Sequence, residues 1–173
     1  METTTSRNES ASRIWRTGLL VMFMLGASCA PLGSAVKVEP SVPSLQVNDI
    51  ALTSVKVENI ADLIAFEMHL SFDANVLEVT ELIDGGFIKP DFIVQKTFDN
   101  AAGTIDYAVA QIDRPPANGN GTLFEIVFRA KALGQSPIHF RETQAAPMGM
   151  LLSDSTGTAI QVSLINGSID VSE

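Results

Sequence analysis

The stretch Ala65–Val79, AFEMHLSFDANVLEV, decides the fold class. Its first half alternates: Phe66, Met68, Leu70 and Phe72 fall on one side, and Ala65, Glu67, His69 and Ser71 on the other. A period of two marks a strand with one buried face, because successive side chains point to opposite sides of a pleated chain. The alternation breaks at Phe72-Asp73-Ala74-Asn75, a turn composition, and resumes with Val76, Leu77 and Val79. The four apolar residues of the first half are core, each worth about 1.5–3 kcal/mol on full burial.

The pattern extends outward from there. In TLFEIVFRAK, Leu123, Glu125, Val127 and Arg129 oppose Phe124, Ile126, Phe128 and Ala130. In SVKVENI, Val55 and Val57 oppose Ser54, Lys56 and Glu58. Short apolar segments continue to Val171, separated by DGG, DNAAG, PPANGNG, LGQSP, SDSTG and NG, all turn-forming runs. The spacing predicts separate strands over Leu52–Asn59 and Ile64–Phe72, a strand from Gly121, and another over Ala159–Leu164. No segment after residue 30 carries helical spacing with caps. The reading is all-β: a single β-sandwich over 44–173.

The N-terminus reads differently. Arg13 and Arg16 precede a mostly apolar run, Thr17 to Leu25, then Gly26, Ala27, Ser28 and Cys29. A positive start, a short apolar centre and small residues form an export signal over 1–28, with a run too short to span a bilayer comfortably. Cys29 is the single cysteine of the chain, so no internal disulfide exists. LGASC resembles a bacterial lipobox, in which the Cys becomes the lipid-bearing first mature residue; Gly26 stands where that pattern has Leu. Lipidation at Cys29 would attach the chain to a cell membrane or cell surface, and plain secretion is the alternative. Residues 29–43, with Pro31, Pro40 and Pro43, read as a tether.

Charge excludes one class of partner. The chain holds 20 Asp+Glu against 11 Lys+Arg, and no Lys/Arg cluster follows Lys37. Nucleic acid binding needs a basic footprint that is missing here. The sequence offers no nucleophile elbow or phosphate loop, so it is read as non-enzymatic, with no cofactor and no metal. His69 and His139 lack carboxylates at ligand spacing. Asp113 to Gly121 reads as a mobile turn, with Asp113, Asn118 and Asn120 as the residue types a cation would use.

Taken in order, several stretches resemble the cohesin family. VKVENIADLIAFEMHLSFDANVLEV is similar to the family's second and third strands and their aromatic–Asp–Pro–x–x–Leu turn: Phe72, Asp73 and Leu77 match, and Ala74 replaces Pro. Gly121, Leu123, Ile126, Phe128, Ala130 and Gly134 fit the family's Gly–x–Leu–x–x–Ile–x–Phe–x–Ala stretch and its following Gly. LLSDSTGTAIQVSLINGSIDV resembles the closing strands, with Gly167 before the last.

The resemblance implies a jelly-roll-like sandwich of about nine strands, close in shape to carbohydrate-binding modules. It also implies a non-catalytic docking module on the cell surface, whose partner is a dockerin-like domain carrying calcium and often appended to polysaccharide-degrading enzymes. By position, Ala65, Glu67, His69 and Ser71 would face that partner. On TIDYAVAQI the family face uses one alternate set, either Ile105, Tyr107, Val109 and Gln111 or Asp106, Ala108 and Ala110. Tyr107 with Val109 would supply an anchor of the kind that dominates interfaces; in the other reading both fill the core. Ala65 and Glu67 depart from the Asn and Asp of well-studied cohesins, which implies a different partner specificity. His69 beside Glu67 and Asp62 is a candidate for pH-sensitive binding. A carbohydrate-binding module, with polysaccharide as partner, and a passive envelope domain are the alternatives. The first is weakened by the lack of Trp after Trp15 and by a single Tyr.

Overall fold

A computed structural model describes residues 33–40 and 42–173. The export segment, Cys29 and the lipidation reading lie outside the described residues. Eleven strands and no helix are present among them. They are β1 (Ala35–Pro40), β2 (Ser44–Gln46), β3 (Ile50–Ser71), β4 (Leu77–Asp84), β5 (Phe92–Asp99), β6 (Thr104–Ala110), β7 (Ala117–Ala130), β8 (Gly134–Phe140), β9 (Met150–Asp154), β10 (Ser163–Ile165) and β11 (Gly167–Ser172).

The central element is β3, 22 residues long. Its first half pairs with β1 on one side and β7 on the other, and β7 pairs onward with β4. Its second half pairs with β6 and β9, and β6 pairs onward with β5. One strand therefore serves both layers. It turns the corner at Asn59 and Asp62, which hold φ of 52° and 62° and flank register shifts against β7. Asn and Asp tolerate this left-handed conformation better than other non-glycine residues. The corner is tied by side chains: Asn120 Oδ1 accepts the Asn59 amide at 2.7 Å, and Asn118 Oδ1 accepts the Asp62 amide at 2.9 Å. The two strands expected over 52–59 and 64–72 are thus one.

Side-chain rings close the space between layers. Phe124 of β7 stacks on Phe66 of β3 at 6.0 Å and meets Tyr107 of β6 edge-on at 4.7 Å, while Phe72 packs edge-on against Phe128 at 5.3 Å. Such offset and edge-on pairs are the favoured aromatic arrangements. The alternations read from sequence hold. Phe66, Met68, Leu70 and Phe72 are buried, as are Phe124, Ile126 and Phe128. β8, β11 and β2 close one end, joined to β3 through Leu70↔Phe140 and Ser71↔His139.

Two boundaries shift. The domain starts at Ala35 rather than Ser44, because Val36 and Val38 alternate with Lys37 and Glu39 and pair against β3. The prolines had masked that alternation. The stretch 113–121 is not a free loop from Ala117 on. There β7 has begun, and Asn118 and Asn120 spend their carbonyls on the β3 corner rather than on a cation.

Candidate functional site

The two layers present different outer surfaces. Outside β1 and the first half of β3, Lys37 pairs with Glu58 at 2.7 Å and Glu39 at 3.5 Å, and Lys56 pairs with Glu39. The Glu58 hydrogen bond raises the Lys37 ammonium above its ordinary range, and the Lys56 contact lowers the Glu39 carboxyl. Arg129 meets Glu78 at 2.5 Å nearby. This surface is a solvated lattice of opposite charges, worth little individually.

The outer face of β9-β3-β6-β5 is different. Strand register sorts it into rows, since paired residues point the same way. One row holds Ser153, Ala65, Ala110 and Phe92, and the next Leu151, Glu67, Ala108 and Gln95. The third holds His69, Asp106 and Thr97, and the last His139, Ser71, Thr104 and Asp99. Polarity rises along the strands, from alanines at one end to charged and hydroxyl groups at the other.

The apolar end forms an open groove of about 180 Å³. Its floor is Ala65, Ala108 and Ala110, side chains too short to fill the space above the sheet. Leu151 on β9 and Val94 on β5 form the walls, 41% and 75% exposed. A register shift between Ile93 and Gln95 inserts Val94 as an extra residue, as bulges commonly re-aim a side chain.

The polar end is a closed cluster. His69 Nδ1 lies 2.5 Å from Asp106 Oδ1, and Nε2 lies 2.8 Å from Glu67 Oε1. Arg141 donates to the same Asp106 oxygen at 2.6 Å. Carboxylates accept only, so whichever ring nitrogen carries a proton donates to its neighbour. The two carboxylates sit at opposite ring nitrogens and do not converge. Among the described residues no group of three or more His, Cys, Asp or Glu could hold a metal ion.

The expected site residues therefore divide. Ala65, Glu67, His69 and Ser71 lie on the outer side of β3, and Ala65 and Glu67 line the groove. His69 is only 7% exposed and lies between Glu67 and Asp106, which it contacts through its two ring nitrogens. Asp62 is not its neighbour; that carboxylate accepts from Ser155. Tyr107 and Val109 correct the other reading. They are 1% and 3% exposed and point into the core, because their partners across β3, Met68 and Phe66, are core residues. The outward set on β6 is Asp106, Ala108 and Ala110. Arg141, Val94 and Leu151 were not singled out from sequence: each reaches the face from a different segment, and no local pattern marks them.

Comparison with known proteins places this architecture. The cohesin domain model matches residues 36–171. The chain belongs to the cohesin family. The cohesin is 25% identical over 136 residues to Cell surface glycoprotein 1 of Acetivibrio thermocellus, an alignment covering 66% of this chain and 6% of that protein's length. Its fold is similar to a type II cohesin from the cellulosome of Acetivibrio cellulolyticus, with a TM-score of 0.70, 21% identity, and coverage of 80% of this chain and 95% of that one. It is also similar to a chain from a mutant type II cohesin–X-dockerin complex of the same organism. There the TM-score is 0.68 and the identity 15%, covering 80% of this chain and 99% of that one.

Proposed function

We propose that this cohesin is a non-catalytic docking module that receives a dockerin-type partner on the outer face of β9-β3-β6-β5. The observation carrying this reading is the asymmetry of the two surfaces. One is a mixed-charge lattice, and the other has a modest apolar centre beside a polar rim, the anatomy of a protein interface. The cohesin–dockerin complex among its structural relatives supports the same partner class. Ala65, Glu67 and Ser71 meet the partner directly, and His69 holds the Glu67 and Asp106 carboxylates in place. The calcium belongs to the partner, and polysaccharide-degrading enzymes are the cargo such partners would bring.

In this reading residues 1–28 direct export, Cys29 carries lipid, and the tether shortens to 29–34. At about 3.3 Å per residue those six residues reach roughly 20 Å, so the domain stands close to its membrane. The sugar-binding alternative loses support because the single Tyr of the chain is in the core, leaving no Tyr to stack on a sugar ring.

Two measurements test the proposal. The full chain should retain a calcium-loaded dockerin-type module on beads, and Ala108→Arg, which places a charge on the groove floor, should weaken retention at least tenfold. Retention unchanged by that substitution would remove the face assignment. Mass spectrometry of the membrane fraction should find acylated Cys29 as the first mature residue, and any other N-terminus rules the anchor out.

A further inference from the structure

Three Asn-x-Ser/Thr triplets stand in the sequence: Asn8-Glu9-Ser10, Asn120-Gly121-Thr122 and Asn166-Gly167-Ser168. The triplet is the acceptor pattern for saccharide transfer to Asn in exported chains. The first falls within residues 1–28, which the export reading removes. The fold separates the other two.

Each residue of Asn120-Gly121-Thr122 is accounted for by folding. Asn120 Oδ1 accepts the Asn59 amide at the β3 corner, Gly121 leaves room for the Phe87 ring, and Thr122 is a half-buried strand residue opposite Lys56. Asn166-Gly167-Ser168 is different. Asn166 is exposed in the single-residue break between β10 and β11. Its Oδ1 accepts the Phe140 amide at 3.2 Å, and its Nδ2 has no hydrogen bond among the described residues. Gly167 is dictated by packing: a Cβ there would stand 2.9 Å from the Val38 carbonyl oxygen. Ser168 has no such reason. Its Oγ is buried without a hydrogen-bond partner among the described residues, so the folded chain bears the desolvation of a hydroxyl it does not use. A use before folding, while the triplet is still accessible, accounts for it.

Beside Asn166 lies a shallow hollow of about 270 Å³. Phe140, Pro147, Leu164 and the half-exposed Met148 give it apolar walls, and Glu142 supplies a carboxylate. Apolar walls with an acceptor among them suit a pyranose ring, whose C–H face packs on apolar groups and whose hydroxyls donate. The hollow shares no residue with the alanine-floored groove.

From these features we infer that Asn166 is a saccharide attachment site, modified during export from a lipid-linked saccharide donor. The inference rests on the export reading of residues 1–28 and is independent of docking. In the transfer, Asn166 Nδ2 forms a bond to the anomeric carbon of the first sugar and gives up one proton. The bond from that carbon to the donor's phosphate oxygen breaks, and the lipid phosphate leaves with the electron pair. Nothing is oxidised or reduced. Oδ1 remains a carbonyl, so the folded chain keeps its bond from the Phe140 amide. The first sugar lies in the hollow and covers Met148.

The test is a tryptic map, by mass spectrometry, of the full chain purified from the cells that make it. Cleavage after Lys and Arg leaves Asn166 as the one Asn of Glu142–Glu173, and places Asn120 in Thr97–Arg129 because Arg114 precedes a proline. Glu142–Glu173 should carry the mass of at least one sugar, and Asn166→Gln should abolish it. Ser168→Ala should lower its occupancy at least tenfold with a thermal midpoint equal or higher, a combination that a merely structural Ser168 would not give. A bare Glu142–Glu173 from a chain that has lost residues 1–28 overturns the inference and leaves export intact. A sugar that survives Ser168→Ala, or one found only on Thr97–Arg129, also overturns it. A chain that keeps residues 1–28 overturns both readings.

Discussion

The Tyr107 ring meets the stacked Phe66 and Phe124 rings edge-on, and its hydroxyl donates to Asp84, which also accepts from Lys96 at 2.9 Å. The Lys96 ammonium lies 5.5 Å from the ring centre. A buried phenol needs such a partner, and here the partner comes from the end of β4 in the opposite layer. Tyr107→Phe removes one hydrogen bond to a charged acceptor and is expected to cost about 1.5–3 kcal/mol. Tyr107→Ala also leaves a cavity and should cost about 3–5 kcal/mol. Urea unfolding measures both, and an undiminished midpoint for Tyr107→Ala would contradict its place in the core. Period-two reading placed Tyr107 and Val109 together, yet could not choose their side. Both alternate sets of TIDYAVAQI mix apolar and polar residues, with Asp106 beside Ala108 and Ala110 on one and Gln111 beside Ile105, Tyr107 and Val109 on the other, and the choice was made by Met68 and Phe66 across the ladder.

Among the elements, β3 carries the most consequence, because its corner aims the half that pairs β6 and β9 relative to the half that pairs β1 and β7. Asn118 and Asn120 hold that corner by accepting the two amides freed where the ladder shifts register. Replacing either by Ala leaves one amide without its acceptor, with an expected loss of about 1–2 kcal/mol. Hydrogen exchange should quicken at Asn59 and Asp62 before it does in the strand centres. Unchanged protection at those amides would remove the role assigned to the two asparagines. Asn100 does similar work between layers, accepting the Val79 amide at 2.7 Å and donating to its carbonyl at 2.9 Å. From sequence, Asn100 reads as a turn former, and Asn118 and Asn120 read as turn formers of a type a cation would also use. Their composition was right for a turn, and their partners lie 21 to 61 residues away.

At the scale of the whole molecule, the acidic balance meets a set of carboxylates held by local donors. The Ile112 and Asp113 amides hold Asp91 below the usual range, the Ala102 and Ala101 amides do so for Asp99, and the Thr156 hydroxyl and Thr158 amide for Asp154. A depressed folded pKa contributes stability above the unfolded value, and that stability is lost as pH falls through the folded one. The thermal midpoint is therefore expected to hold between about pH 7 and 5 and to fall below about pH 4, where these carboxylates protonate. Lys37, raised chiefly by Glu58, works in the other direction: its contribution is present below its ordinary value of 10.5 and is lost as pH rises beyond it. A midpoint that already falls above pH 5 would assign acid sensitivity to other groups. What the sequence determined by itself is the set of quantities that are local: the two-residue period, the turns, the all-β class, the acidic charge, and the ordered segments that resemble cohesins. Tertiary structure decided everything that depends on which strands become neighbours. It made β1 part of the domain, joined two expected strands into β3, turned Tyr107 inward, and brought Arg141, Val94 and Leu151 to one face. The physical reason is that strand pairing is non-local: a side chain's surroundings are set across the ladder and across the core, by residues whose distance along the chain leaves no trace in any short window.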